Sequence, residues 1–131
     1  MLRKARGFTL IEILLVVLLA SILVTLVAPL GIEQVEKARA QSEWLTLDRE
    51  IDRLSLDAFL RSDFVTVYAA GKRLAWESRG GQPGVIEFEQ LFFSPEQRIT
   101  INPNGIADRL AIEVLQRDRR RSLSILPEVR E

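Results

Sequence analysis

The sequence predicts an α+β protein in which one long N-terminal helix packs against a small antiparallel β-sheet domain. Three observations lead to this prediction. The first quarter of the 131-residue chain is almost wholly apolar. Residues 33–62 then repeat apolar side chains at helical spacing, and residues 63–131 repeat them with the period of two that is typical of strands. We therefore expect a transmembrane half and an amphipathic half of one helix, followed by a β-rich globular domain.

The N-terminus combines a basic leader with an apolar run. Residues 1–7 contain three basic residues and no acidic one, and residues 8–32 form an uncharged run except for one acid. This run is long enough to span the roughly 30 Å hydrocarbon core of a membrane. Glu33 and Glu36 follow it. The positive-inside rule then predicts a single-pass membrane protein whose N-terminus is cytoplasmic and whose residues 33–131 lie on the other side of the membrane.

A cleaved secretory signal peptide is the competing interpretation of this N-terminus. The apolar run is longer than the core of a signal peptide, which usually has about 7–15 residues, and no clear pair of small residues marks a cleavage site after it. Glu12 also lies inside the run, which would be unusual for a signal peptide. These features favour a membrane helix that is retained.

Glu12 is the acid inside the apolar run, five residues after Gly7. An acidic side chain costs about 2.5–3.5 kcal/mol at the centre of a membrane helix and less near its end. Ionisable groups at such positions usually have a partner and a function. We therefore expect Glu12 to take part in a specific contact.

Pro29 and Gly31 lie at the outer end of the apolar run. Proline removes one intrahelical hydrogen bond and glycine loosens the backbone, so we expect a helix kink or local unwinding there. A helix that simply ends at Ala28 is the alternative. Continuation is favoured because residues 33–62 are rich in helix-forming residues. The apolar side chains that share one face of this segment are Leu47, Ile51, Leu54 and Ala58.

Residues 63–131 contain five or six predicted strands. We expect Ser94-Pro95 to end one of them and residues 102–105 to form a turn. The apolar residues 91–93 fit the core better than a docking surface. A cluster of four arginines between the last two strands is interpreted as a polar hairpin turn, with contact to lipid head groups or an acidic partner as the alternative. The cluster comprises Arg117, Arg119, Arg120 and Arg121.

The composition argues against catalysis and against nucleic acid. The chain has no cysteine and no histidine, and neither a Walker loop nor a GxGxxG motif occurs. Acid pairs such as Glu87 and Glu89 fit the solvated face of a strand. Without the leader, 15 basic and 18 acidic residues remain, a net charge of −3. We therefore expect a protein that is not an enzyme, with no catalytic residue, no metal site, no cofactor and no nucleic-acid partner.

The stretch from Gly7 to Glu12, Gly-Phe-Thr-Leu-Ile-Glu, resembles the type IV pilin-like family, which comprises the pilins of type IV pili and the pseudopilins of type II secretion systems. The basic leader Arg3-Lys4-Ala5-Arg6 precedes the stretch and the apolar run follows it. Pro29 lies 22 residues after Gly7, where many members of the family have a helix-kinking proline. The resemblance is close over residues 3–31.

The resemblance implies a maturation step and a role for the acid. A membrane-embedded prepilin peptidase would cleave between Gly7 and Phe8 and would N-methylate Phe8. Glu12 would then pair with the N-terminal amine of a neighbouring subunit and set the register of assembly. The alternatives are that Glu12 only favours the helix N-terminus or pairs with the Phe8 amine of its own chain.

Two absences suggest a minor subunit, since the chain lacks both the cysteine pair of many major pilins and the acid-rich calcium loop of major pseudopilins. Residues 99–105, before the last strands, resemble minor pseudopilins of the H type. The predicted function is therefore that of a minor pseudopilin, a structural subunit of the periplasmic pseudopilus of a type II secretion system. Its expected partners are prepilin peptidase, other pseudopilins or pilins, and the inner-membrane assembly platform.

Two other functions remain open at this point. One is a minor pilin of a type IV pilus or a DNA-uptake filament, because pilins and pseudopilins share the N-terminal stretch. The other is a single-span envelope protein with an enzymatic or ligand-binding periplasmic domain, which the absence of a catalytic motif disfavours.

Overall fold

The computed structural model describes residues 6–125 and contains one helix and six strands. The elements are α1 (Leu10–Arg61), β1 (Val65–Gly71), β2 (Arg73–Ser78), β3 (Gly84–Glu87), β4 (Leu91–Ile101), β5 (Ala111–Gln116) and β6 (Arg119–Ser124). The α+β prediction is confirmed. The chain divides into two compact units, residues 1–38 and residues 39–131. The predictions made for residues 1–5 and 126–131 lie outside the described residues.

The first unit is helical from Leu10 onward, and its described side chains are all exposed. Helix α1 continues through Pro29, as expected from the residues that follow it, rather than ending at Ala28. Pro29 has no N–H group, so it cannot donate to the carbonyl of Thr25 one turn earlier. The hydroxyls of Ser21 and Thr25 donate to the carbonyls of Val17 and Ser21, at 2.7 and 2.5 Å. Both hydroxyls are thereby satisfied within the helix, as an apolar surrounding requires.

The second unit contains a six-stranded antiparallel sheet with the order β3-β2-β1-β4-β5-β6. Strand β4 is the longest and joins the two halves of the sheet. Its first residues pair with β5, where Leu91 lies opposite Gln116. Its last residues pair with β1, where Ile101 lies opposite Val65.

The prediction that Ser94-Pro95 ends a strand is wrong. Strand β4 runs through both residues. The reason lies in the pairing, because residues 94–96 have no ladder partner on either neighbouring strand. Proline cannot donate a ladder hydrogen bond, and at this position none is needed.

The core lies between the helical residues of the second unit and one face of the sheet. Leu47, Ile51, Leu54 and Ala58 are at most 3% exposed, so the predicted apolar face of the helix is confirmed. Phe93 is fully buried and meets Phe88 edge to face, with ring centroids 5.8 Å apart. Each large apolar side chain buried in this way stabilises the fold by about 1.5–3 kcal/mol. Other sheet residues of the core are Val65, Val67, Leu74, Leu91, Ile99, Ile101, Ile112 and Val114.

The polar turn predicted around the arginine cluster is shorter than expected. Only Arg117 and Asp118 form the connection between β5 and β6, and both have positive φ angles, 49° and 63°. Two such residues match the right-handed twist of the flanking strands. The remaining arginines belong to β6, which is an edge strand of the sheet. Charged residues on an edge strand hinder pairing with other chains.

Candidate functional site

The N-terminal residues Arg6 to Thr9 have no regular structure, and the helix begins at Leu10. The backbone N–H groups of Glu12 and Ile13 donate to the carbonyl of Thr9, at 3.0 and 3.3 Å. Thr9 is therefore the N-cap residue, a position that threonine favours. The described helix thus begins two residues after Phe8, at which the membrane half was expected to start.

The peptide bond between Gly7 and Phe8 lies in this irregular segment, outside the helix. Phe8 is 80% exposed, and a Cβ atom added at Gly7 would have no neighbour within 4 Å. Exposed segments that contain small residues and lack helical hydrogen bonds are the preferred substrates of proteases. The peptide bond at which we expect cleavage is therefore accessible to a protease.

Glu12 lies in the first turn of the helix and is exposed. Because Thr9 is the N-cap, Glu12 occupies the third helical position, which gives the Ser/Thr-x-x-Glu spacing of a capping box. The positive end of the helix dipole also stabilises a carboxylate at this position. Within residues 6–125, Glu12 has no ion pair or side-chain hydrogen bond. Thr9 was not among the site residues predicted from the sequence, although its spacing from Glu12 was a signal for the cap.

Pro29 and Gly31, the expected kink residues, both lie inside helix α1. A Cβ atom added at Gly31 would also have no neighbour within 4 Å. The kink itself stays a prediction. The helix that contains these residues is long and apolar enough to cross a membrane by its length and composition.

A second group of charged residues lies in the other unit, around the end of the helix and the β2–β3 loop. Arg61 donates to the Gly80 carbonyl at 2.7 Å. The Asp63 carboxylate accepts from the N–H groups of Gly80 and Phe64, at 2.9 and 2.8 Å, and these bonds lower the pKa of Asp63. Together they fix the loop against the helix end.

A polar cleft of about 700 Å³ lies beside this loop. Arg53 and Asp57 line it, and a hydrogen bond from Arg53 to Glu50 raises the pKa of Arg53. The guanidinium of Arg53 also lies 5.4 Å from the centroid of Trp76. Two arginines of the cleft, Arg53 and Arg61, therefore already have hydrogen-bond partners within the protein. Among residues 6–125, no three or more acidic side chains come together in a way that could hold a metal ion.

Comparison with known proteins locates the family signal at the N-terminus. The family described as the prokaryotic N-terminal methylation motif matches residues 2–28. The matched range includes Gly7, Phe8, Thr9 and Glu12, the residues that form the irregular segment and the first helical turn. The N-terminal part of the chain therefore has the motif of type IV pilin-like proteins.

This family is defined by a structural motif and is not an enzyme family. Its motif implies processing by prepilin peptidase and assembly with other pilins. Searches among curated proteins and among solved structures gave no match to the chain.

Proposed function

We propose that the chain is a minor pseudopilin, a structural subunit of the periplasmic pseudopilus of a type II secretion system. The methylation motif at residues 2–28 carries the proposal. The sheet of the globular unit and the single membrane-length helix support it, because a filament subunit needs a helix for assembly and a folded domain outside the membrane. The choice of a minor pseudopilin over a minor pilin rests on the resemblance of residues 99–105 to minor pseudopilins of the H type.

Cleavage between Gly7 and Phe8 is the first step of the proposed function. Its support is the irregular backbone of residues 6–9 and the open space around Gly7. Cleavage would remove all the basic residues that precede the apolar run. The cytoplasmic anchor of the helix would be lost with them, and the helix could then move outward into a filament.

Glu12 would supply the assembly contact of the mature chain. Cleavage creates an amine at Phe8, which N-methylation keeps basic. In the apolar interior of a filament, an unpaired carboxylate is costly and a paired one is attracted strongly to a cation. We propose that Glu12 meets the Phe8 amine of a neighbouring subunit and so selects one axial offset between helices.

We assign the remaining segments of the chain the following roles in maturation and assembly. Residues 1–7 are the removable leader, residues 8–32 the membrane and assembly half of the helix, and residues 33–62 its amphipathic half. Residues 63–131 form the periplasmic globular domain. A kink at Pro29 and Gly31 would let the two halves of the helix take different directions, because Pro29 cannot complete the hydrogen bond to Thr25.

Site-specific cross-linking in cells with a type II secretion system tests the proposal. A photo-cross-linker at an exposed position of the outward helix face, such as Leu56, should capture other pseudopilins, and deletion of the subunit should abolish secretion without affecting piliation. Capture of pilus subunits together with loss of piliation alone would instead identify a minor pilin and overturn the proposal. The intact chain, with its leader, is used in both arms.

A further inference from the structure

The helical residues 39–46 of the globular unit are attached to the sheet differently from the residues that follow. From Leu47 to Ala58 the helix buries three large apolar side chains and one alanine, but between residues 39 and 46 only Ala40 is buried. Polar contacts take the place of apolar ones in this segment. We propose that these contacts form a releasable latch, which opens before the core does.

Glu43 makes the central contact of the latch. Its carboxylate accepts the backbone N–H groups of Glu89, Gln90 and Leu91, at 2.7, 2.7 and 3.2 Å. Glu89 and Gln90 lie in the connection between β3 and β4, and Leu91 is the first residue of β4. One helical side chain therefore satisfies three consecutive backbone N–H groups at this edge of the sheet. Hydrogen bonds of this kind, with an ionised acceptor, are roughly twice as strong as neutral ones.

Two further contacts attach the same helical turn to the β5–β6 hairpin. The Gln116 amide donates to the carbonyl of Ala40 at 2.8 Å and accepts from Arg121 at 2.6 Å. The Arg121 guanidinium lies 4.0 Å from the ring centroid of Trp44, at the distance of a cation–π contact. Trp44 itself is only partly buried against the core.

The ion pair between Arg39 and Glu89 adds little to the latch. Its atoms are 3.9 Å apart and both side chains are largely exposed, so solvent screens the attraction. The latch thus depends on Glu43, Gln116 and Arg121. Because few apolar side chains are buried behind them, local opening of residues 39–46 requires much less free energy than unfolding of the core.

Opening of the latch would detach about 12 Å of helix from the sheet, at 1.5 Å per residue, and these turns, which the sheet no longer holds, would then unwind readily. The core residues from Leu47 onward would keep the rest of the helix in place. A pull along the helix would therefore lengthen the chain at the latch before it reaches the core. This inference concerns the globular unit alone and does not depend on the proposed function.

Hydrogen–deuterium exchange of the full-length chain in detergent micelles tests the latch. Glu43→Gln is expected to speed exchange about tenfold at the amides of residues 40–46 and 89–91, which corresponds to the loss of one charge-assisted hydrogen bond. The amides of β1 should keep their protection. Glu96→Gln removes the same charge from an exposed position of β4 and should leave both segments unchanged.

A second variant probes the other side of the latch. Arg121→Ala removes the contact with Trp44 and should speed exchange at residues 40–46 while residues 89–91 stay protected. In a Trp76→Phe background, where Trp44 is the remaining tryptophan, its emission should shift to the red. Exchange that is unchanged in both variants, or that rises equally in β1, would overturn the proposal, since the segment would then be inert or part of the cooperative core.

Discussion

Gln97 of β4 joins its strand to Glu113 of β5 through two hydrogen bonds. Its side-chain amide donates to the Glu113 carbonyl at 2.7 Å, and its side-chain oxygen accepts the Glu113 N–H at 2.8 Å. The two strands have no ladder pairs at this position. A side chain thus takes the place of a strand backbone, and Gln97 is only 4% exposed.

Replacement of Gln97 by alanine should therefore destabilise the globular unit. The variant leaves the part-buried N–H and C=O groups of Glu113 without these partners, which costs about 1–3 kcal/mol. Chemical denaturation of the full-length protein in detergent, followed by the far-ultraviolet signal of the sheet, measures the change. Gln82→Ala, at an exposed loop position, is the matched control and should stay within about 0.5 kcal/mol of the parent chain. Equal stability of the two variants would contradict the role given to Gln97.

The contact of Gln97 also shows where prediction from the sequence stops. The helix and its apolar face were predictable, because Leu47, Ile51 and Leu54 repeat with a local period. The contact between Gln97 and Glu113 depends on which strands become neighbours, and no local pattern encodes that. The same holds for Glu43, which binds amides 46–48 residues away along the chain.

Two other differences between prediction and structure have local causes. Pro95 was interpreted as the end of a strand, because proline breaks a ladder, but the structure places it where the ladder has no partner. The helix start at Leu10 follows from the cap at Thr9, which the sequence also contained as the Thr-x-x-Glu spacing. At the candidate site, Gly7, Phe8 and Glu12 were predicted from the motif, and their assigned roles stay predictions.

Leu47 and Leu56 allow a direct comparison of the two faces of the helix. Leu47 is fully buried, whereas Leu56 is 57% exposed. Leu47→Ala should lower the free energy of unfolding by about 2–5 kcal/mol, because it leaves a cavity in the core. Leu56→Ala should change it by no more than about 0.5 kcal/mol. Similar losses in both variants, measured by denaturation in detergent, would contradict the assignment of the buried face.

Asp63 should make the stability of the globular unit depend on acid pH. Its hydrogen bonds to the N–H groups of Gly80 and Phe64 lower its pKa in the folded state, so the unfolded chain binds a proton first as the pH falls. The contribution is present above the unfolded pKa of about 3.9 and is lost as the pH falls through the folded value.

Asp63→Asn should consequently flatten the plot of unfolding free energy against pH below about pH 4, relative to the parent chain. Denaturation curves at several acid pH values measure this slope. Asp52→Asn removes an exposed acid from the helix and serves as the control for the change in net charge. A slope that Asp63→Asn leaves unchanged would show that its hydrogen bonds do not favour the charged form.

Glu12 should be required for assembly but not for insertion into the membrane. Glu12→Ala removes the only charge of the apolar run, so insertion should be retained or improved. Incorporation into filaments should fall strongly, because the proposed register contact with a neighbouring subunit would be lost. Fractionation of membranes and sheared filaments measures both, and Glu33→Ala, just outside the run, is the control. Normal assembly of Glu12→Ala would leave capping of its own helix as the role of this acid.

The proposed function depends on cleavage of the chain between Gly7 and Phe8 by a prepilin peptidase. The most direct measurement is the intact mass of the full-length protein, extracted from membranes of cells with and without prepilin peptidase. With the peptidase, we expect a chain that begins at Phe8 and carries a methyl group on its amine. Without it, residues 1–7 should remain. A chain that keeps residues 1–7 in the presence of the peptidase, or that is cut elsewhere, would contradict the proposed cleavage.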